Sequence, residues 1–362
     1  MWNIEEVTRK ILEGSIIPAK NGTRMYTPDG LGNYAALWTR DFAYMVEYAG
    51  NLLPMEDVRA CLEHLMDGAA KNGWIPDRVD ANGNVFYTAG GSEFPGLPNL
   101  DTGTYLVIAA DCYLQNLEEN AAKAQFAQWK DTLMKGVDCM PVNEDGLILN
   151  ETTPAHSPYG FTDCIQKTGL LAMESLLLWR AADILAKWLG AEGGRYRMWK
   201  KCIEAHFCET FWDERGMLLA GTGVCRQIDV WASCFAVSAG FPLGEEKKRA
   251  IAKWLIDHYD GIVQRGQIRH LPEGEFWEKT FIEVEPGTYQ NGAFWATPTG
   301  WFADAIAEEN RALAEKTLKD VLKDFEENGV FECVNGDYRK LDTYVVSATN
   351  VYGACKKYGV GM

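Results

Sequence analysis

Asp41, Asp101, Asp163, Asp229, Asn291 and Asp342 recur along the chain, each at or near the expected start of an apolar helical stretch. Successive members stand about sixty residues apart, closing to about fifty at the end, a period that suits one helical hairpin. Each alone reads as an N-cap, because a short carboxylate or amide satisfies the free N–H groups of a first helical turn and complements the helix dipole. Gathered at one mouth of a ring of parallel helices, the same residues would supply carboxyl groups in surplus. Glycosidic-bond cleavage needs such groups in pairs: a protonated carboxyl assists the leaving oxygen, and an ionised one activates water or attacks. The surrounding segments mix Trp38, Trp74, Phe94, Tyr159, Phe161 and Tyr289 with Arg40, Arg78, Gln227 and Gln290. Aromatic rings stack on the apolar C–H faces of a pyranose, while guanidinium, amide and carboxylate groups bond its hydroxyls. Loop packing is the competing role for the aromatics.

Two kinds of helix must position these residues. Val58, Cys61, Leu62, Leu65, Met66 and Ala69 fall at helical spacing within Met55–Asn72, leaving Glu56, Asp57, Glu63 and Lys71 on the other side. That is one apolar stripe on a surface helix. Leu313 to Phe325 and Ala250 to His258 repeat it. The segments 104–114, 168–179, 230–241 and 295–306 are apolar on nearly every face, as helices enclosed on all sides are. Buried and surface helices therefore alternate, and strand patterning is thin. Alternation in helical hairpins of about sixty residues predicts an all-α fold, an (α/α)6 toroid of six hairpins. No composition shift or linker divides the chain, so residues 1–362 are read as one catalytic domain.

Leu37-Trp38-Thr39-Arg40-Asp41-Phe42 resembles the W-x-R-D lead-in to the first inner helix of glucoamylase-like enzymes. Tyr289-Gln290-Asn291-Gly292-Ala293-Phe294-Trp295 resembles the Y-[HQ]-x-G-x-x-W element of neutral invertases and glycogen-debranching glucosidases. Asn99-Leu100-Asp101-Thr102-Gly103 is similar to the N-D-G-type start of their second inner helix. On these segments, from the first hairpin to the fifth, the chain resembles the six-hairpin glycosidase superfamily. The resemblance implies a glycoside hydrolase with Arg40 and Asp41 on hydroxyls of the sugar being cleaved. It puts the general acid on the third hairpin, where Tyr159-Gly160-Phe161-Thr162-Asp163 makes Asp163 the candidate proton donor and Glu151 its competitor. Glucoamylases carry a Glu close to Gln290 and Asn291 of this chain, and neither of these accepts a proton usefully. Glu283 and Glu285 are the nearest ionisable residues, ahead of Asp229 and Asp342, and Glu285 is the candidate base. Inversion is the implied outcome. Trp38, Arg40, Asp41, Asp101, Glu151, Tyr159, Asp229, Tyr289, Gln290, Asn291 and Trp295 complete the expected substrate-binding set.

Composition narrows the partners. Hydrophobic residues at 47% and charged residues at 24% describe an ordinary folded chain. Lys and Arg number 35 against 51 Asp and Glu, a net charge of -16. That balance disfavours nucleic acid, anionic membranes and polyanionic substrates. A small neutral oligosaccharide is the expected partner. The ten cysteines form no C-x-x-C pair and the five histidines, at 64, 156, 206, 258 and 270, are dispersed, so neither a metal nor another cofactor is expected. The opening Met1-Trp2-Asn3-Ile4-Glu5-Glu6 shows no signal-peptide pattern, which makes a cytoplasmic location the expectation. The same fold carries other chemistry. An unsaturated glucuronyl hydrolase, a lyase using His156 or Tyr159, an epimerase using His156 and His270, and a non-catalytic ligand-binding toroid are the alternatives.

Overall fold

The computed structural model describes residues 2–91 and 93–361. The chain winds through α1 (Ile4–Gly14), α2 (Thr39–Ala49), α3 (Met55–Asp67), α4 (Thr102–Leu114), α5 (Glu119–Asp138) and α6 (Ala172–Trp188). It continues through α7 (Gly194–Phe211), α8 (Val230–Ser238), α9 (Glu245–Asp257), the single turn α10 (Tyr259–Ile262), α11 (Thr299–Ile306), α12 (Arg311–Asn328) and α13 (Val345–Tyr358). The two expected kinds of helix are both present. Surface helix α3 buries Val58, Cys61, Leu62 and Leu65 along one stripe. On α12 the stripe is Leu318, Val321, Leu322 and Phe325. Each such side chain contributes roughly 1.5–3 kcal/mol of transfer free energy. By contrast α8 is buried from Val230 through Ala236 and α2 over most of its length.

Enclosed helices α2, α4, α6, α8, α11 and α13 pack each on the next, and α13 closes back on α2. The surface helices lie outside them, α3 on α4, α5 on α4 and α6, α7 on α6, α9 on α8 and α11, and α12 on α11 and α13. The last inner helix takes a further outer partner, α1, from the other end of the chain. The fold is an (α/α)6 toroid. One hydrophobic cluster runs through it from Ile4 to Val360, as a two-layer architecture with a common core requires. No helix among the described residues is long and apolar enough to cross a membrane.

The expected boundaries move where apolar runs turn out to be strands. Gly169–Leu170 pairs with Leu149–Asn150, so α6 starts at Ala172 rather than Thr168. Phe294–Trp295 pairs with Gln267–Arg269 and Cys333–Asn335, so α11 starts at Thr299 rather than Trp295. A short apolar run fits a buried strand as well as a buried helix. These strands are two or three residues long, too short for alternation to show. Those of 263–264, 267–269, 294–295, 333–335 and 338–340 form one antiparallel sheet, and 36–38, 78–80 and 85–86 form another.

The capping pattern also differs. Only Asp229 of the six residues caps as expected, accepting from Ala232 N–H at 3.0 Å. Asp41 lies within the first turn of α2, and Asp101 precedes α4 without bonding its N–H groups. Asp163 and Asn291 stand in connecting segments well upstream of α6 and α11. Asp342 is exposed and bonds the adjacent Thr343 N–H.

Inner and outer layers touch closely where α4 meets α5. A Cβ on Gly103 would sit 2.1 Å from the Gly136 carbonyl oxygen, which is backbone and cannot swing aside. Gly103→Ala is therefore expected to lower unfolding free energy by about 3 kcal/mol, measured by denaturant titration followed by far-UV circular dichroism. Gly14→Ala, with nothing within 4 Å of its added Cβ, is the control and should change stability little.

Candidate active site

Arg40 enters α2 directly from the strand Ala36–Trp38 and is 3% exposed. A buried guanidinium persists only when paired. Here four carboxylates surround it. Its Nη1 donates to Asp77 Oδ1 at 3.1 Å and lies 3.6 Å from Asp101 Oδ1. Its Nε is 3.7 Å from Asp41 Oδ2, and its Nη2 is 3.8 Å from Asp163 Oδ2. Burial alone would weaken the guanidinium's hold on its proton, but the carboxylates more than offset that and Arg40 stays charged. The carboxyls are in excess. Burial, opposed by Arg40, pushes Asp101 up to about 7 and Asp41 up to about 6, and raises Asp77 as well. Desolvation outweighs attraction to the one cation they share.

Asp163 follows the single 3-10 turn Gly160–Thr162, and two bonds aim that turn. Gly160 N–H donates to Asp101 Oδ2 at 2.7 Å, and Tyr159 N–H donates to Glu174 Oε1 at 2.6 Å. Gly160 lies so close to Arg40 that a Cβ there would meet the guanidinium Nε at 1.8 Å. From across the mouth, the Gln290 side-chain amide donates to Asp163 Oδ1 at 2.8 Å while its carbonyl accepts from Cys164 N–H at 2.9 Å. Gln290 thus grips both the carboxyl and the backbone beside it.

A second buried carboxyl faces the same space. Glu332 stands just before the strand Cys333–Asn335, its N–H bonded to the Lys340 carbonyl at 2.9 Å. Its Oε1 accepts from Tyr34 Oη–H at 3.0 Å, and Lys340 Nζ lies 3.1 Å from Oε2 as an ion pair outside hydrogen-bond geometry. The same ammonium sits over the Tyr289 ring and bonds Tyr34 Oη. Burial, only partly opposed by Lys340, pushes Glu332 up to about 7.

Between these carboxyls lies a cavity of about 240 Å³, smaller than the pockets that hold drug-sized ligands. Arg40, Asp41 and Asp163 line it, with Glu332 and Gln290; the aromatics Tyr34, Trp38, Phe161, Tyr289, Trp295 and Tyr344 form its walls. The structure therefore gathers Trp38, Arg40, Asp41, Asp163, Tyr289, Gln290 and Trp295 from the expected set. Others lie elsewhere. Asp101 is beneath Arg40, fully buried and outside the lining. Tyr159 turns its hydroxyl into a buried cluster with Tyr44 and Tyr105. Asp229 caps α8 and lies 3.6 Å from buried Lys167. Asn291 braces a loop through Trp277 N–H and the Val284 carbonyl. Glu151, Glu283 and Glu285 are exposed and do not line the cavity. Glu332, Tyr34, Asp77 and Tyr344 were not among the expected residues. Their one visible signal is Glu332 itself, a lone acid inside Val330-Phe331-Glu332-Cys333-Val334, where a charge interrupts an apolar run.

The same architecture occurs in solved structures. A GH63 mannosylglycerate hydrolase from Thermus thermophilus, bound to Tris and D-glycerate, matches with a TM-score of 0.71 at 15% identity, over 96% of this chain and 99% of that one. A rhamnosidase from Klebsiella oxytoca with rhamnose bound matches with a TM-score of 0.68 at 14% identity, over 99% of this chain and 63% of that one. The GH78 rhamnosidase of Bacillus sp. GL1 gives 0.64 at 14% identity, over 96% of this chain and 34% of that one. The chain has the six-hairpin fold of these glycosidases. No family model and no curated protein sequence matches it. The six-hairpin fold places the inner-helix N-termini at one mouth, and the cavity described above is in that mouth. Among the described residues there is no cluster of three or more His, Cys, Asp or Glu placed to hold a metal ion.

Raised carboxyls set a sign for stability against pH. Glu332 ionises at about 7 in the folded chain and near 4.5 when unfolded, so its contribution is fully present below the unfolded value and is lost as pH rises through the folded one. Glu332→Gln is therefore expected to gain melting temperature relative to the parent between pH 5 and pH 8. Differential scanning calorimetry across that range checks it; a constant or shrinking difference contradicts the assignment.

Proposed function

We propose that the chain is a glycoside hydrolase acting on a neutral glycoside, with Asp163 as general acid and Glu332 as general base. The observation that carries this is the pair itself: two buried carboxyls from different hairpins, each held by its own bonds, facing one cavity of about 240 Å³. The volume suits one sugar ring and the near part of a leaving group, so removal of one terminal residue is the fitting action. Solved structures with this fold include enzymes bound to glucose and to rhamnose, which supports a sugar in the cavity.

In this reading the bonds at each carboxyl divide the steps between them. Gln290 donates to Asp163 Oδ1, leaving Oδ2 to carry the proton delivered to the glycosidic oxygen. Beside it, burial strengthens the hold of Asp41 and Asp101 on a proton against the pull of Arg40. Glu332, ionised, takes a proton from water on the opposite side of the ring. Tyr34 and Lys340 orient it. Attack by water opposite to the departing group inverts the anomeric carbon. Trp38, Tyr289 and Trp295 present faces and edges to the ring. One barrel, in this reading, is the whole catalytic unit, and no cofactor takes part.

The alternatives fit less well. An unsaturated uronide brings a carboxylate that needs a free cation, and Arg40 and Lys340 are each already paired with acids. An epimerase would draw on His156 and His270. His270 is buried against Trp231, His156 bonds the Pro98 carbonyl, and neither lines the cavity.

Asp163→Asn and Glu332→Gln are each expected to lower kcat by about 10²–10⁴-fold, whereas Glu285→Gln should leave it within about twofold. Release of sugar from a panel of glycosides, followed by NMR, measures both the rates and the first-formed anomer. Equal losses in all three variants would discard the pair. A second outcome concerns pH. Because the base must be ionised, kcat/KM should rise as pH increases through about 7, and that acid limb should vanish from the residual activity of Glu332→Gln. A limb that persists in the variant belongs to another group.

A further inference from the structure

Hydrogen bonds around Asp163 identify the side of the cavity that the leaving group occupies. Cys164 carbonyl accepts from Phe281 N–H at 2.8 Å, and Ile165 bridges Thr280. The segment carrying Ile282 is thereby fastened beside the proton donor. Phe94 joins it, its ring 5.3 Å from that of Phe281. Glu332, Tyr34 and Lys340 belong to the other side, with the attacking water. A general acid must touch the oxygen that departs, so the leaving group rests against Phe94, Cys164 and Ile282 together with Ala89 and Gly90.

That half of the cavity is apolar. Among the described residues none of those five offers a side-chain hydroxyl, amide, carboxylate or cation. The carbonyls of Thr88, Ala89 and Gly90 are engaged by Arg78, at 2.9, 3.2 and 2.9 Å. Ile282 is 46% exposed, so its side chain is open to a ligand in the cavity it lines. A sugar or sugar acid seated here would lose water from several hydroxyls, or from a carboxylate, without partners in return. An apolar group would lose nothing and cover Phe94 and Ile282.

Resting on the reading of Asp163 as proton donor, we propose that this half is an aglycone site for an apolar, uncharged alcohol of aryl or arylalkyl type, preferred over a polyhydroxylated or acidic leaving group. The natural substrate class is then a small monoglycoside of such an alcohol, and the enzyme's products are a free sugar and a poorly water-soluble alcohol.

The test compares 2-phenylethyl, glycerol and glyceric-acid glycosides, all linked through primary hydroxyls so that leaving-group chemistry is matched, with glucose, mannose and rhamnose in both anomers. For whichever sugar is released, kcat/KM for the 2-phenylethyl glycoside should exceed that for the glycerol and glyceric-acid glycosides by at least about tenfold, the discrimination an apolar pocket provides. Ile282→Ser and Phe94→Ser should each pull that ratio toward one, mainly by raising KM for the 2-phenylethyl substrate. Exposed Ile282 can be changed without disturbing the fold, and circular dichroism verifies this. A ratio at or below one in the parent, or a ratio unmoved in both variants, overturns the aglycone site while leaving the hydrolase reading intact. Absence of release from every glycoside overturns the hydrolase reading, and this inference falls with it.

Discussion

A single guanidinium, buried at the start of the first inner helix, holds the mouth of the barrel together. Arg40 meets Asp77 from just before the strand 78–80, Asp101 before the second inner helix, Asp41 on its own helix and Asp163 from the third hairpin. Three consecutive hairpins are tied to one charge. Removing a buried cation from such a set would leave several carboxylates without a partner, which is far more costly than losing any one contact. The tie is also steric, since the Gly160 backbone lies against the guanidinium where no side chain fits.

From that centre, order passes outward through shared atoms. Asp77 accepts from Arg40 through one carboxylate oxygen and from Arg78 through the other. Arg78 stacks over Trp38 and Phe86 and binds three successive carbonyls of the segment 88–90, which forms one lip of the cavity. Gln290 carries the influence across the mouth, gripping Asp163 and Cys164 from the fifth hairpin. Floor, Asp163 and lip therefore form one bonded network.

The toroid was legible in the sequence because its two kinds of helix bury different fractions of their surface, and burial leaves a periodic trace. The stripes of α3, α9 and α12, and the enclosed runs of α4 and α8, fall where that trace put them. The site was legible in part, and for a different reason. Trp38, Arg40, Asp41 and the Tyr289–Trp295 segment carry local motifs, whereas Glu332 has none. Its position depends on strands of two or three residues that pair across long sequence separations, 267–269 with 294–295 and 294–295 with 333–335. No local periodicity encodes that pairing. Proximity to Gln290 in sequence pointed to Glu283 and Glu285, but both side chains are exposed and outside the cavity lining, whereas Glu332, from the next hairpin, is part of it. The capping argument failed for the same reason at Asp163 and Asn291. Both sit in connecting segments whose roles are set by tertiary bonds, as Trp277, Gln290 and Cys164 illustrate.

Those misplaced caps point to how this site is built. Asp229 caps its helix and stays outside the cavity, while Asp101 forgoes capping and holds the Gly160 N–H instead. A carboxylate satisfied by its own helix is fixed and electrostatically spent. One left free of that duty can reach across hairpins, and burial then raises its hold on a proton, as at Asp101 and Asp41. The cost is stability, because a desolvated carboxyl short of cations opposes folding once it ionises. Large two-layer barrels can bear that cost: their apolar core grows with chain length while the charged cluster does not. The closed ring of inner helices, with α13 against α2, supplies the stable frame. Against it the mouth keeps more carboxyls than cations, and Asp41, Asp163 and Glu332 among them line one small cavity.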